Sequence, residues 1–160
     1  MFRTGIGQDS HRFLTDGSSK PCRLGGLIFE DVPGLSSDSD GDVVLHAICN
    51  AITSLSGVQI LGGLAQDLND KEGITDSEVY LKKALETLHR FNLQHVALSI
   101  EAIKPRLQHR IEEMREKIAS LLNLNLDQVG ITATTGQGLS EVGLGEGVEC
   151  LCIITASVKN

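Results

Sequence analysis

Two short stretches carry the side chains best suited to metal or phosphate chemistry. Asp9 and His11 stand two apart within Phe2 to Phe13, a segment that has no helical periodicity and contains Gly5 and Gly7. In an extended strand such residues share a face, so an oxygen and a nitrogen donor would lie side by side. Further on, Ser39-Asp40-Gly41-Asp42 precedes an apolar helical pattern that carries His46. Carboxylates, a hydroxyl and an imidazole at the mouth of a helix suit a divalent cation, or a phosphorylated ligand held through one. One carboxylate and two imidazoles with a position left open describe a catalytic zinc site, whereas structural sites are usually closed by four protein ligands. Each half also has a plainer reading: a solvent-facing polar pair at a strand end, and a well-capped helix with an incidental histidine.

The elements that must position these groups can be read from periodicity. Asp42 to Ser56 is expected to be a helix, because Val44, Ala47, Ile48, Ala51, Ile52 and Leu55 recur at three-and-four spacing. Asp40 and Asp42 favour its N-terminus through capping and the helix dipole. Asp42 and His46 are four apart and share a face, so Asp42 either orients the imidazole or caps toward solvent. A second helix is expected from Asp76 to Phe91 and a third from Gln108 to Leu122. Strands are expected over Phe2 to Phe13, around Gly25-Gly26 within Cys22 to Glu30, over Gln94 to Ile103, over Leu126 to Thr132, and over Val148 to Val158. Val58 to Gly73 reads as a long irregular segment, and such a segment inside a compact domain is often a functional loop. The predicted fold class is α/β (α+β): one domain over residues 1–160, a two-layer sandwich of a mixed sheet of about four main strands with three helices on one face.

Composition narrows the partners. The formal charge is −7, from 21 acidic and 14 basic side chains, which argues against general nucleic-acid binding. Four phenylalanines, one tyrosine and no tryptophan leave no stacking platform for single strands. A small anionic ligand fits, provided metal ions or a few placed basic residues supply the positive charge. No leader or apolar span stands out, so a cytoplasmic protein with reduced thiols is expected. Cys150 and Cys152 could chelate a metal, but their alternation in an apolar strand reads better as small core residues beside Cys22 and Cys49. The Ala133-Thr134-Thr135-Gly136-Gln137-Gly138 turn offers hydroxyls and flexible backbone for phosphate oxygens, or is an ordinary turn.

Five motifs together carry a resemblance over essentially the whole length. These are Gly5-Ile-Gly-Gln-Asp-Ser-His-Arg-Phe13, Ser39-Asp-Gly-Asp-Val-Val-Leu-His46, Lys104-Pro-Arg-Leu107, Ala133-Thr-Thr135 and Gly145-Glu-Gly147. In this order and spacing the chain resembles the 2-C-methyl-D-erythritol 2,4-cyclodiphosphate synthase family of the non-mevalonate isoprenoid pathway. The resemblance implies a homotrimer with active sites between subunits, and a small nucleotide substrate, 4-diphosphocytidyl-2-C-methyl-D-erythritol 2-phosphate. Its 2-phosphate attacks the β-phosphorus, closing a cyclic diphosphate and expelling CMP. The resemblance assigns Zn2+ to Asp9, His11 and His46, and a second cation, Mg2+ or Mn2+, to the diphosphate. It assigns phosphate contact to Ser39 and to Thr134, with Thr135 near the reacting phosphorus. Gly62 and Asp67 would hold the methylerythritol part. Ala102, Lys104, Pro105, Arg106, Leu107 and Gln108 of a neighbouring subunit would form the cytidine pocket. Gly145-Glu146-Gly147 matches the lining of the central trimer channel.

The chain departs from the family pattern at several of these positions. Asp38, at a position the resemblance makes catalytic, stands where a histidine donor that could stabilise the transition state usually precedes the serine, and an ionised carboxylate there is an acceptor instead. Gln137 replaces the acidic residue on the second cation, and a neutral oxygen should bind magnesium more weakly. Ile60 replaces an aspartate, Asn50 replaces the aspartate after the metal histidine, Leu144 replaces a channel arginine, and Arg106 replaces a pocket lysine. Two readings follow: a divergent but active synthase, or a weak or inactive trimeric zinc-binding relative that holds a nucleotide or isoprenoid phosphate.

Overall fold

The computed structural model describes residues 1–159. Strand β1 (Phe2–Arg12) starts the chain, followed by a small hairpin of β2 (Pro21–Leu24) and β3 (Leu27–Pro33). Helices α1 (Val43–Ser56), α2 (Ala65–Glu72) and α3 (Ser77–Glu86) precede β4 (Phe91–Glu101). Then come α4 (Ile111–Leu122), β5 (Val129–Thr134) and β6 (Gly147–Val158). The main sheet has the order β1-β6-β4-β5. β6 runs antiparallel to both neighbours, and β4 and β5 are parallel, so the sheet is mixed.

Alternation along the strands explains why one face is covered. Val96, Leu98 and Ile100 of β4 and Val148, Cys150, Cys152 and Ile154 of β6 are buried in one core with Val44, Ala47, Ile48, Ala51 and Ile52 of α1. The opposite face is open in the single chain, with Ile6 57% and Ile153 40% exposed. Those two residues are paired partners in adjacent strands, and Ala97 continues the row on β4.

Among the described residues there are four α-helices rather than three. The additional one, α2, lies inside the stretch expected to be irregular. Its residues Ala-Gln-Asp-Leu-Asn-Asp-Lys-Glu bury Ala65 alone, so no apolar stripe announces it, and it ends on Gly73 in the left-handed region. The segment before it, Ile60–Leu64, is a kinked turn with Gly62 at φ 70°. Several boundaries also differ, among them the start of α4, at Ile111 rather than Gln108, and the end of β4, at Glu101 rather than Ile103. Helix α3 stops at Glu86, and Phe91 belongs to β4, paired with Val158. Residues Leu126–Gln128 form a helical turn fixed by reciprocal Asn125 and Gln128 bonds, and β5 begins after it. No single helix is long and apolar enough to cross a membrane among the described residues.

The contact between α1 and β1 positions the functional groups. A Cβ on Gly7 would stand 2.2 Å from the Ala47 carbonyl oxygen, and one on Gly5 would stand 2.3 Å from that of Ala51. Both glycines let the helix backbone rest on the strand backbone, an approach no side chain permits. Asp9 and His11 continue the same face of β1 beyond the glycines, toward the helix N-terminus where His46 sits.

Candidate metal and phosphate site

Helix α1 is started by Asp42, whose carboxylate is fully buried and accepts from the amides of Val44 and Leu45. It also accepts from the amides of Gly25 and Gly26 in the β2–β3 turn, at 2.8 and 2.7 Å. Burial pushes its pKa up, against those backbone donors and with the neighbouring Asp40 charge. Asp42 therefore neither faces solvent nor orients the imidazole: its acceptor capacity is taken up by the backbone that it staples together.

With the helix so fixed, His46 is 5% exposed and meets the two residues of β1. Asp9 Oδ2 lies 2.9 Å from His46 Nδ1 and 3.0 Å from His11 Nε2, and the two imidazole nitrogens are 3.2 Å apart. These three atoms fit one divalent ion. Bonds of about 2.0–2.1 Å to a tetrahedral zinc separate the donors by roughly 3.3 Å, close to the triangle observed. It is the one cluster of its kind among the described residues. Burial alone would raise the Asp9 pKa, but hydrogen bonds and charge from His11 and His46 hold it well below the usual carboxylate range. The three side chains line a cleft of about 370 Å³ with Ser37, Asp38, Ser39, Asn50, Leu61, Gly62 and Asn69.

The remaining candidates divide between this cleft and a second region. Ser39 Oγ is 3.2 Å from His46 Nε2 and Asp38 is exposed at the rim, where its carbonyl accepts from Asn69. Ile60 is buried and Asn50 bonds the Gln8 carbonyl. Asp67 does not line the cleft: it pairs with Lys71 on the outer side of α2, while Gln66 and Asn69 face inward. Ala102, Pro105, Arg106, Leu107, Gln108, Thr134, Thr135 and Gln137 line a separate groove of about 760 Å³ at the ends of β4 and β5. Gln137 there has φ 51° and donates to Thr135 Oγ1 at 3.2 Å. Lys104 turns away from this groove and stands over the Phe13 ring. The cysteines are all buried and unpaired, and none joins the metal cluster.

One residue that the sequence did not single out belongs to the site. Ser77, at the start of α3, is fully buried, and its Oγ lies 2.9 Å from His46 Nε2. Its hydroxyl also donates to Asp40. The only signal was its position at a helix start, which points to capping rather than to a histidine 31 residues away.

The family model described as the YgbB family matches residues 2–157. A 2-C-methyl-D-erythritol 2,4-cyclodiphosphate synthase from Chlamydia felis (strain Fe/C-56) is 52% identical over 156 residues, covering 97% of this chain and 89% of that relative. The bifunctional IspDF from Campylobacter jejuni is similar in structure, with a TM-score of 0.88 and 29% identity, covering 100% of this chain. This chain spans 43% of that bifunctional chain. A 2C-methyl-D-erythritol-2,4-cyclodiphosphate synthase in its CDP-bound form gives a TM-score of 0.85 at 27% identity, covering 97% of this chain and 100% of that one.

Proposed function

Because this chain belongs to the YgbB family, we propose that it is a 2-C-methyl-D-erythritol 2,4-cyclodiphosphate synthase, a lyase of isoprenoid biosynthesis acting as one domain over residues 1–160. The observation that carries this reading is the convergence of Asp9, His11 and His46 at the mouth of a polar cleft. In the reaction, the 2-phosphate of 4-diphosphocytidyl-2-C-methyl-D-erythritol 2-phosphate attacks the β-phosphorus. One P–O bond forms to close the ring, the P–O bond to the cytidine side breaks, and CMP leaves with its electron pair.

The difficulty is electrostatic, since an anionic nucleophile approaches an anionic phosphorus. A divalent metal on the triad, zinc in this reading, supplies Lewis-acid polarisation of the diphosphate. The chain's own residues do the rest by positioning and by fixed hydrogen-bond donors. Ser39 donates to a phosphate oxygen beside His46. Gly62, with Gln66 and Asn69 rather than Asp67, borders the methylerythritol part. Thr134 and Thr135 donate to the diphosphate, and Thr135 serves as the catalytic hydroxyl near the reacting phosphorus. Gln137 offers a neutral oxygen to a second cation, Mg2+ or Mn2+. Asp38 occupies the rim as an acceptor, so it acts on cations or donor groups rather than on phosphate oxygens.

Ala102, Pro105, Arg106, Leu107 and Gln108 form the cytidine pocket, with Lys104 behind it. The metal cleft and the threonine groove have no lining residue in common within one chain. This supports an active site completed by a neighbouring subunit in a homotrimer. The open sheet face bearing Ile6, Ala97 and Ile153 supplies an apolar surface for that assembly. Four buried, unpaired cysteines support a cytoplasmic setting. The test is CMP release from the authentic substrate, followed before and after chelation. Release that stops with the chelator and returns with zinc and magnesium supports the proposal. A zinc-loaded trimer that releases no CMP at any magnesium concentration overturns it in favour of a binding protein without turnover.

A further inference from the structure

The hydrogen bonds behind His46 sort two serines that both reach its outer nitrogen. Ser77 Oγ lies 2.9 Å from Nε2 and Ser39 Oγ lies 3.2 Å from it. A serine hydroxyl has one proton and two acceptor lone pairs. The Ser77 proton goes to Asp40 Oδ1, and the Ser77 backbone amide donates to Asp40 Oδ2 at 3.0 Å. Asp40 is held in turn by the Asp42 amide, which donates to its Oδ1 at 3.1 Å, and by its own amide, which donates to the Thr75 carbonyl at 2.8 Å. With its proton committed, Ser77 Oγ meets the imidazole as an acceptor.

We propose that Asp40 and Ser77 are positioning residues for the metal centre: the Asp40–Ser77 pair accepts the Nε2–H of His46, so that Nδ1 presents its lone pair toward Asp9 and His11. The opposite tautomer is a real competitor, because Asp9 Oδ2 is 2.9 Å from Nδ1 and would accept a proton placed there. That arrangement ties up two ligands in a hydrogen bond to each other. Ser77 withdraws it by giving the proton a better-defined acceptor on the far side of the ring. Partners of this kind behind a metal-bound imidazole fix its tautomer and raise its basicity.

Ser39 is thereby left for another task. Its Oγ accepts from the Gly41 amide and sits 3.0 Å from Ser37 Oγ. Its proton is not required by His46 and is available to a ligand oxygen in the cleft. The relay also joins distant parts of the chain. Asp40 lies in the loop before α1, Ser77 opens α3, and the Asp40 amide to Thr75 carbonyl bond closes the gap between them. The segment 58–76, which borders the cleft, is in this way anchored to the histidine it faces.

This inference rests on the triad holding a divalent metal, and the test separates the two. Zinc affinity is measured by competition with a chromophoric chelator for the wild type, Ser77→Ala, Asp40→Asn and Ser39→Ala. Alongside, the Nε2–H proton of His46 is followed by NMR in the zinc-loaded proteins. Loss of such a partner typically weakens metal binding by about 10- to 100-fold. That loss is expected for Ser77→Ala, while Ser39→Ala binds zinc as the wild type does. The Nε2–H resonance should be protected from water exchange in the wild type and in Ser39→Ala, and should shift and exchange rapidly in Ser77→Ala. Asp40→Asn retains the shape of the carboxylate and the Ser77 hydroxyl, and should also bind zinc more weakly. It carries the test if Ser77→Ala does not fold. Zinc binding by Ser77→Ala or Asp40→Asn that equals the wild type overturns the inference, as does a Nε2–H signal sensitive to Ser39 but not to Ser77. A wild-type protein that binds no zinc instead contradicts the triad itself.

Discussion

Asp9 Oδ2 and His46 Nδ1 lie 2.9 Å apart although 37 residues separate them in the chain. The contact joins a strand to a helix, and the glycines at 5 and 7 make that junction close enough to hold one ion. Burial would raise the Asp9 pKa, and the neighbouring histidines outweigh it and hold it well below the usual carboxylate range.

His46→Ala should therefore abolish metal binding while leaving the chain folded. His46 lies near the start of a long helix whose cap and apolar stripe do not depend on the imidazole. Metal analysis of the purified variant should find no bound zinc, and its circular dichroism should match the wild type. Full zinc occupancy in this variant would refute its assignment as a ligand.

Gly7→Ala should be far more damaging than its size suggests. The added methyl would press on the Ala47 carbonyl and the Ala51 amide, both at 2.2 Å, and neither backbone group can move without lifting α1 from the sheet. Overpacking of this kind costs about 3 kcal/mol. Denaturant unfolding should report that loss, and zinc affinity should fall with it as His46 is carried away from Asp9. Unchanged stability together with unchanged affinity would show that the helix does not rest on the strand here.

The cysteines should be chemically silent. Burial pushes the Cys22 and Cys152 thiols up to about 12, from an ordinary value of 9.0. A thiol whose folded pKa is raised stays neutral in the native protein. Its contribution to stability is present below about 9 and is lost as the pH rises toward about 12. A thiol reagent at neutral pH should label the native protein slowly, and should label all four cysteines once it is unfolded. Rapid native labelling would contradict the core role of Cys150 and Cys152.

Gln137→Glu should lower the magnesium concentration needed for half-maximal rate, because a carboxylate replaces a neutral amide oxygen near the hydroxyl of Thr135. The expected change is in the magnesium requirement, with zinc affinity unaltered. A requirement that is unchanged or higher would remove Gln137 from the second cation site.

Much of this arrangement is legible in the sequence, and the exceptions have physical reasons. The stripe on α1 and the alternation of β4 and β6 fix the two layers, because burial on one face must recur at the helix and strand periods. The ligand types of Asp9, His11 and His46 are readable as chemistry, but their meeting depends on a glycine contact that spacing does not encode. Asp42 illustrates the limit. Its distance of four from His46 suggested a contact on one helix face, yet as the cap residue it turns toward the Gly25 and Gly26 amides instead. The role near the imidazole falls to Asp40 through Ser77, a pair brought together only by tertiary packing. Helix α2 was illegible for a different reason: it is polar on nearly every side and has no period to read.

The most direct test of the central claim is phosphorus NMR of the authentic substrate incubated with the zinc-loaded protein and magnesium. The substrate's phosphorus signals should give way to those of the 2,4-cyclodiphosphate and of CMP in equal amounts, and His46→Ala should yield neither. Substrate signals that persist unchanged with the folded, zinc-loaded wild type would contradict that claim.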